Sequence, residues 1–148
     1  MPKLQLAQIN IAHGFETLDH PVMQAFSKAI DDINALAETS PGFVWRWVSG
    51  ENDDSGARFF NNPKVIINLS VWDSIDALKN YVYTSGHLDI LKRKKEWFEK
   101  PSSAHLAMWW IPEGQYPSLE NAKSKLDLID QHGATEQAFT FATQFLPR

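Results

Sequence analysis

The 148-residue sequence contains no cysteine, which excludes disulfides, thiolate metal sites and cysteine nucleophiles. It has no apolar run close to the roughly 20 residues that a membrane-spanning helix needs, and its first residues lack the layout of a signal peptide. Its net charge is −4, and no basic stripe of the kind that binds nucleic acid is present. These absences predict a cytoplasmic protein that binds neither a membrane nor a nucleic acid.

The common short catalytic signatures are also missing. There is no Gly-rich phosphate loop and no Gly-x-Ser-x-Gly nucleophile motif. His and carboxylate residues do not recur four positions apart on any predicted helix, so no metal site is expected. The acidic segment 49–63 lacks the terminal Glu of a calcium-binding loop, and we expect it to be a mobile hairpin connection.

The positive signal is a hydrophobic pattern that changes period along the chain. Apolar residues recur at every second position where strands are expected and at every third or fourth position where helices are expected. Helix-start signals stand at Asp19-His20-Pro21, at Asp73 or Ser74, and at Pro117-Ser118. The prediction in chain order is strand 3–11, a helix ending before Thr39, strands 43–48 and 64–72, helices from about 74 and from 87, strand 104–111, a helix ending at His132-Gly133, and strand 138–145.

This order, βαββαβ with an appended helix and strand, predicts an α+β fold of the ferredoxin-like type. Its sheet would be antiparallel, with both helices on one face, in a single domain over 1–148. On the third strand, the aliphatic face of Val65, Ile67, Leu69 and Val71 is expected under helices, and the face with Asn68 and Ser70 is expected to line a cavity. Because the strands are apolar on both faces, a second subunit should cover the open one, which predicts a homodimer.

His87 begins the second helix of the predicted pair, after Ser85-Gly86. At 100° per residue, Leu91 and Phe98 lie within about 40° of His87, whereas Asp89 lies on the opposite side. His87 therefore belongs to the apolar stripe of that helix. A histidine there could act as a general acid or base near neutral pH, or could cap the Ser85-Gly86 break. The pattern alone leaves both open.

The candidate site combines His87, as the catalytic residue, with aromatic residues and with polar positions on the strands. Mostly apolar walls with a few converging polar groups are typical of small-molecule sites. The assignment follows strand alternation alone, so a shift of one residue would exchange the two faces. The substrate-binding residues predicted in this way are Gln8, Asn10, Trp45, Trp47, Asn68, Ser70, Trp72, Tyr83, His105 and Trp109.

The run Val71-Trp72-Asp73-Ser74-Ile75-Asp76-Ala77-Leu78, with Tyr83-Thr84-Ser85-Gly86-His87 after it, resembles the dimeric α/β-barrel superfamily, which includes the antibiotic-biosynthesis-type monooxygenases. Nearly the whole chain resembles the bacterial family named domain of unknown function 3291, with landmarks at 40–46, 68–72 and 108–112. The resemblance implies a small-molecule ligand. Its most specific implication is a monooxygenase that needs no cofactor, in which His87 deprotonates an aromatic or polyketide-like substrate. It also implies two alternatives, a non-catalytic ligand-binding protein and a haem protein with His87 as axial ligand.

Overall fold

The computed structural model describes residues 3–17, 20–47, 60, 64–83, 93, 96–100 and 104–147. A short 3-10 turn at Pro21–Met23 leads into the first helix. The strands and helices are β1 Leu4–His13, α1 Gln24–Glu38, β2 Phe43–Arg46, β3 Val65–Trp72, α2 Ile75–Val82, β4 Leu106–Pro112 and α3 Leu119–His132.

The four strands form one antiparallel sheet in the order β2-β3-β1-β4. The two strands joined through α1 are separated by β3, and the two joined through α2 are separated by β1, as in the split βαβ arrangement. The predicted α+β, ferredoxin-like fold is therefore confirmed. Most of the predicted helix from His87 and most of the 49–63 connection lie outside the described residues. Of that helix the structure describes 93 and 96–98, and Phe98 forms a β-bridge with Gly14.

The helix starts follow the predicted capping signals. His20 Nδ1 accepts a hydrogen bond from the Val22 N–H at 3.1 Å, ahead of the turn that leads into α1. Ser74, rather than Asp73, caps α2, since its hydroxyl accepts from the Ala77 N–H at 3.0 Å. Ser118 caps α3 in the same way. Each cap satisfies a backbone donor that the first turn of a helix leaves without a partner.

The two faces of the sheet are covered by different helices. The α1/α2 face carries Leu6, Gln8, Ser70 and Trp72, and side chains from α1 and α2 pack on its apolar part. The α3 face carries the alternate residues, such as Ile9 and Val71, and is covered by Leu119, Ala122 and Leu126 of α3.

The predicted aliphatic face of β3 thus lies on the side of the sheet that carries the appended helix α3, and the helix pair of the core fold packs on the polar side. The expectation that the polar face is the uncovered one is wrong. The buried polar groups bond to one another, which removes most of the cost of placing them under a helix.

A β-bulge between Phe43 and Trp45 changes the facing of β2. Phe43 packs edge-to-face on Trp72 on the α1/α2 face, with ring centres 5.4 Å apart. Trp45 belongs to the apolar cluster of the α3 face. Strict alternation over the predicted strand 43–48 would put Phe43 and Trp45 on one face, and this expectation is wrong because a bulge inserts one residue that alternation does not count.

The prediction of a strand over 138–145 is also wrong. Only isolated bridges occur there, Met108 with Phe139 and Thr135 with Ala138. After its single bridge to β4, the segment turns its aromatic side chains into the core of the α1/α2 face, where Phe139 is fully buried. The Trp110 indole N–H donates to the Phe145 carbonyl at 2.8 Å and holds the end of the segment.

Within the part of the chain that the structure describes, no helix has the length and apolar composition needed to cross a membrane.

Gly42 joins α1 to β2 where the backbone approaches α2 closely. Its φ is 84°, and a Cβ at this position would lie 2.4 Å from Ala77 Cβ. Its carbonyl accepts from the Asp73 N–H at 2.7 Å, at the point where β3 leads into α2. This close approach requires a residue without a side chain.

Gly42→Ala should lower the free energy of unfolding by about 2–4 kcal/mol, the sum of roughly 1 kcal/mol for positive φ and about 1–3 kcal/mol for overpacking against Ala77. The matched control is Gly114→Ala, which has a φ of 86° but no neighbour within 4 Å. This control variant should lose only the roughly 1 kcal/mol that comes from the positive φ. Urea denaturation of both variants measures the difference, and equal losses would contradict the steric argument.

Candidate functional site

Four side chains on β1 and β3 form a hydrogen-bonded group on the α1/α2 face, which we call the polar cluster: Gln8, Asn68, Ser70 and Trp72. The antiparallel register places Gln8 directly opposite Ser70 and two register positions from Asn68, on the same face. Gln8 and Ser70 are each only 4% exposed, although neither is apolar. Buried polar side chains in this position need partners, and the cluster supplies them internally.

Ser70 is the common acceptor of the cluster. Its Oγ accepts from Gln8 Nε2 at 2.7 Å and from the Trp72 indole nitrogen at 2.8 Å. A hydroxyl oxygen has two lone pairs, so both are engaged. Gln8 Nε2 also donates to Asn68 Oδ1 at 2.6 Å and lies 3.3 Å from the Asn68 carbonyl oxygen. Two buried donors of this group, the Gln8 amide nitrogen and the Trp72 indole nitrogen, are therefore satisfied within the cluster.

Beside this buried group, the same face opens to solvent. Asn10 and Asn68 stand opposite each other on β1 and β3, and both are exposed. Within the described part of the chain, neither the Asn10 side chain nor the Asn68 amide nitrogen makes a hydrogen bond. Two amide groups with unused donors and acceptors are thus presented together, which is the kind of polar contact that orients a small ligand.

Aromatic residues flank the polar positions at both ends of the face. Trp72 contacts Tyr81 at one end, with ring centres 5.1 Å apart. At the other end Phe26 lies 5.5 Å from Trp97 and 5.0 Å from Phe98, measured between ring centres. The strand register places the polar cluster between these two apolar groups. Apart from the half-buried Phe98, these rings are buried and pack as the apolar groups on either side of the polar cluster.

Two ionisable residues of the described part of this face are Tyr81 and Arg46. Burial raises the pKa of Tyr81 to about 12, and the positive charge of Arg46 lowers it by a smaller amount. The Tyr81 hydroxyl donates to the Ile33 carbonyl of α1 at 3.2 Å. Tyr81 is therefore neutral across the physiological range and acts as a hydrogen-bond donor between α2 and α1.

The other predicted residues do not join this group. Trp45, Trp47 and Trp109 belong to the α3 face, on the opposite side of the sheet. His105 is exposed at the start of β4, and its carbonyl accepts from the Ile11 N–H. Tyr83 is exposed at the end of α2. His87, the predicted catalytic residue, lies outside the described residues.

The tryptophans of the α3 face have their own surroundings. Trp45 stacks on Tyr116 with ring centres 4.9 Å apart and planes 2° from parallel. Trp109 is buried under α3, and its indole nitrogen has no hydrogen-bond partner among the described residues. The Lys125 ammonium lies 5.9 Å from the centre of the Trp109 ring, and burial lowers the pKa of this lysine. These aromatic residues pack against α3 and against Tyr116, which precedes it.

Sequence reasoning missed Tyr81 and Arg46 as members of the site. Tyr81 follows Leu78 by three positions and Ile75 by six, so it continues the apolar stripe of α2 and could have been placed under that helix. Arg46 is a lone charge within an apolar strand, but its facing depends on the bulge, which alternation does not predict. In the described ranges, no group of three His, Asp or Glu side chains is arranged to hold a metal ion.

Ser70→Ala should lower the free energy of unfolding by about 2–4 kcal/mol. The buried Trp72 indole loses its acceptor, at about 1–3 kcal/mol, and Gln8, which keeps its bonds to Asn68, loses one hydrogen bond of about 1 kcal/mol. The control is Ser124→Ala, whose hydroxyl donates to the Asn121 carbonyl on the exposed face of α3 and should change stability by less than about 0.5 kcal/mol. Chemical denaturation compares the two variants. Similar small losses would show that the polar cluster is hydrated rather than internally satisfied.

A model of the family described as "Domain of unknown function (DUF3291)" matches residues 5–148 of the chain. Among curated proteins, no sequence similar to this chain is found.

Several solved structures share the fold. A conserved protein from Methanosarcina mazei Go1 has 14% identity and a TM-score of 0.51, over 74% of this chain and 93% of its own. A candidate antibiotic biosynthesis monooxygenase from Nitrosomonas europaea has 13% identity and a TM-score of 0.51, over 80% of this chain and 96% of its own. A Pseudomonas aeruginosa protein has 9% identity and a TM-score of 0.52, over 78% and 99% of the two chains. At such identities the likeness concerns the fold alone.

Proposed function

The chain belongs to the DUF3291 family, with the ferredoxin-like fold of the dimeric α/β-barrel superfamily, and we propose that it binds a small aromatic molecule beside the polar cluster. One observation carries the proposal. Asn10 and Asn68 are exposed side by side on the sheet face that α1 and α2 cover, next to a buried hydrogen-bonded group and between two sets of aromatic rings. The amides can bond to a carbonyl or hydroxyl oxygen of the ligand, and the half-buried Phe98 is the ring of these sets that its apolar surface could contact.

The finer proposal is a monooxygenase that needs no cofactor, acting on an aromatic or polyketide-like substrate. The fold shared with the Nitrosomonas europaea candidate monooxygenase supports it. In such a reaction a base removes a proton from a methylene group activated by the neighbouring ring, and the carbanion reacts with O₂. The methylene becomes a carbonyl, the second oxygen atom leaves as water, and the substrate supplies all four electrons.

In this proposal His87 is the base, and the described residues hold and orient the substrate. Asn10 and Asn68 would bond to the oxygen on which negative charge develops after deprotonation. Donors fixed in advance near a developing charge lower the barrier of such steps. Gln8 and Ser70 would keep Asn68 in place through their mutual hydrogen bonds.

A non-catalytic ligand-binding protein is the second candidate function. The observation that favours it is the chemistry of the described site. The side chains of Gln8, Asn10, Asn68, Ser70 and Trp72 are amides, a hydroxyl and an indole, and none of them is a base at neutral pH. These groups suffice for binding, and proton transfer would depend wholly on His87.

Binding and turnover can be tested with anthrone as the probe. Wild-type protein should bind it with quenching of tryptophan fluorescence, and Asn68→Ala should weaken binding about three- to tenfold, the value of one or two hydrogen bonds. The control is Asn121→Ala, an exposed asparagine at the start of α3. An oxygen electrode should record one O₂ consumed per anthrone above the rate without protein, and His87→Ala should abolish this uptake.

The possible outcomes separate the candidates. Binding without oxygen uptake would favour the ligand-binding protein and contradict the monooxygenase. A Soret band after addition of haem, lost in His87→Ala, would identify the haem-binding alternative and contradict a reaction without cofactor. If neither anthrone nor related phenols bind to the protein, the proposed site is contradicted. It is also contradicted if wild type and Asn68→Ala bind anthrone equally tightly.

We also propose that the chain forms a homodimer through the β2–β3 half of the α3 face. The helix α3 covers the part of that face formed by β1 and β4, through Leu119, Ala122 and Leu126. The β2–β3 half carries the half-buried apolar residues Trp45, Trp47, Val65 and Ile67. A contiguous apolar surface of this kind is typical of a protein interface, and a two-fold axis would let it pair with itself.

Light scattering should therefore give about twice the monomer mass of 16.9 kDa. Trp45→Glu should shift the protein toward the monomer, because a carboxylate would be buried at the contact without a partner. Leu146→Glu, at an exposed apolar residue of the C-terminal segment, is the control and should leave the mass unchanged. A monomer mass for the wild type at micromolar concentration would contradict the dimer.

A further inference from the structure

Arg46 lies in the same row of the sheet as the centre of the polar cluster. Across the four strands the row runs from Arg46 on β2 to Ser70, Gln8 and Met108. We propose that Arg46 makes the site selective for aromatic ligands that carry an anionic oxygen, as in a carboxylate, an enolate or a phenolate. This inference rests on the proposed small-molecule site and names the class of ligand that it prefers.

The bulge in β2 is what brings Arg46 to this side. By simple alternation from Phe43, residue 46 would lie on the α3 face. The bulge between Phe43 and Trp45 adds one residue, so that Trp45 pairs with Val71 and Arg46 pairs with Ser70. Bulges are common where a strand must redirect one side chain, and they occur often beside functional sites.

The guanidinium of Arg46 has N–H donors that make no hydrogen bond to the described residues. Its Nε donates to Glu38 Oε1 at 2.7 Å, at the C-terminal end of α1. A guanidinium has five N–H donors, and no described residue accepts a hydrogen bond from the Nη groups of Arg46. A ligand carboxylate or enolate oxygen could take these donors while the bond to Glu38 remains.

The partial burial of Arg46 favours a selective contact with an anionic ligand over a general attraction of anions to the protein surface. The Arg46 side chain is only 25% exposed, whereas Glu38 is 49% exposed. The more exposed carboxylate is better solvated, so it neutralises Arg46 incompletely. The charge of Arg46 also reaches Tyr81 in the core of the face, because it opposes the effect of burial on the pKa of that phenol. An anionic oxygen near the polar cluster would be attracted by the same charge.

The alternative role for Arg46 is purely structural, as a tie between β2 and α1 through Glu38. The two roles differ in what the Glu38 partner does. If the ion pair alone matters, removing either member should have the same effect. If Arg46 contacts the ligand, only changes at Arg46 should alter the preference for an anion.

The test uses a pair of probes of similar shape, 1-naphthoate and 1-naphthamide, at pH 7 with tryptophan fluorescence as the readout. Wild-type protein should bind the carboxylate about ten- to hundredfold more tightly than the amide, as expected for a charge-assisted hydrogen bond. Arg46→Gln should reduce this ratio to near one. Arg46→Lys should keep part of it, because the charge remains but the planar pair of donors does not.

Glu38→Gln is the matched control, since it breaks the same ion pair from the other side. It should retain the preference for naphthoate. A Glu38→Gln variant that loses the preference as fully as Arg46→Gln would overturn the inference in favour of the structural tie. Equal binding of both probes by wild type would overturn the inference alone, and failure to bind either probe would count against the proposed site as well.

Discussion

The double hydrogen bond received by Ser70 is the constraint on which the site depends. A sheet face covered by helices normally excludes polar side chains, because an unpaired buried donor costs about as much as several good contacts provide. Here the hydroxyl of Ser70 satisfies the Gln8 amide and the Trp72 indole together. That arrangement favours this register of β1 on β3, because a shift would separate Gln8 from Ser70. It also explains how a polar strip can extend from solvent into the core beneath α1 and α2.

The site is asymmetric because two elements depart from the simplest form of the fold. The bulge in β2 turns Arg46 toward the polar cluster and Trp45 away from it. The appended helix α3 then covers half of the other sheet face, which a four-stranded fold of this type would leave bare. Among the described residues, one side of the sheet therefore combines amides, rings and the Arg46 guanidinium, and the other is apolar and suited to packing.

Much of this architecture could be predicted from the sequence, since strand alternation and helix stripes identify β1, α1, β3, α2, β4 and α3, and capping residues mark the helix starts. The set of Gln8, Asn10, Asn68 and Ser70 was also predictable, because β1 and β3 keep strict alternation and pair without a bulge. The facing of Trp45 and Arg46 was not, because a bulge has no signal in hydrophobicity. The end of the chain was mispredicted for a related reason. Its alternating Phe residues resemble a strand but pack around the edge of the sheet instead of extending it.

The bridge between Phe139 and Met108 links the far end of the chain to the site. Met108 is the β4 member of the row that contains Gln8, Ser70 and Arg46, and Phe139 exchanges two backbone hydrogen bonds with it. The C-terminal segment is therefore bonded to this row at β4, and its bridge occupies part of a strand edge that would otherwise be free to pair with another chain. Tags, fusions and truncations at this end are not neutral for such a protein. They would change the contacts of the strand row that contains the residues proposed to bind the ligand.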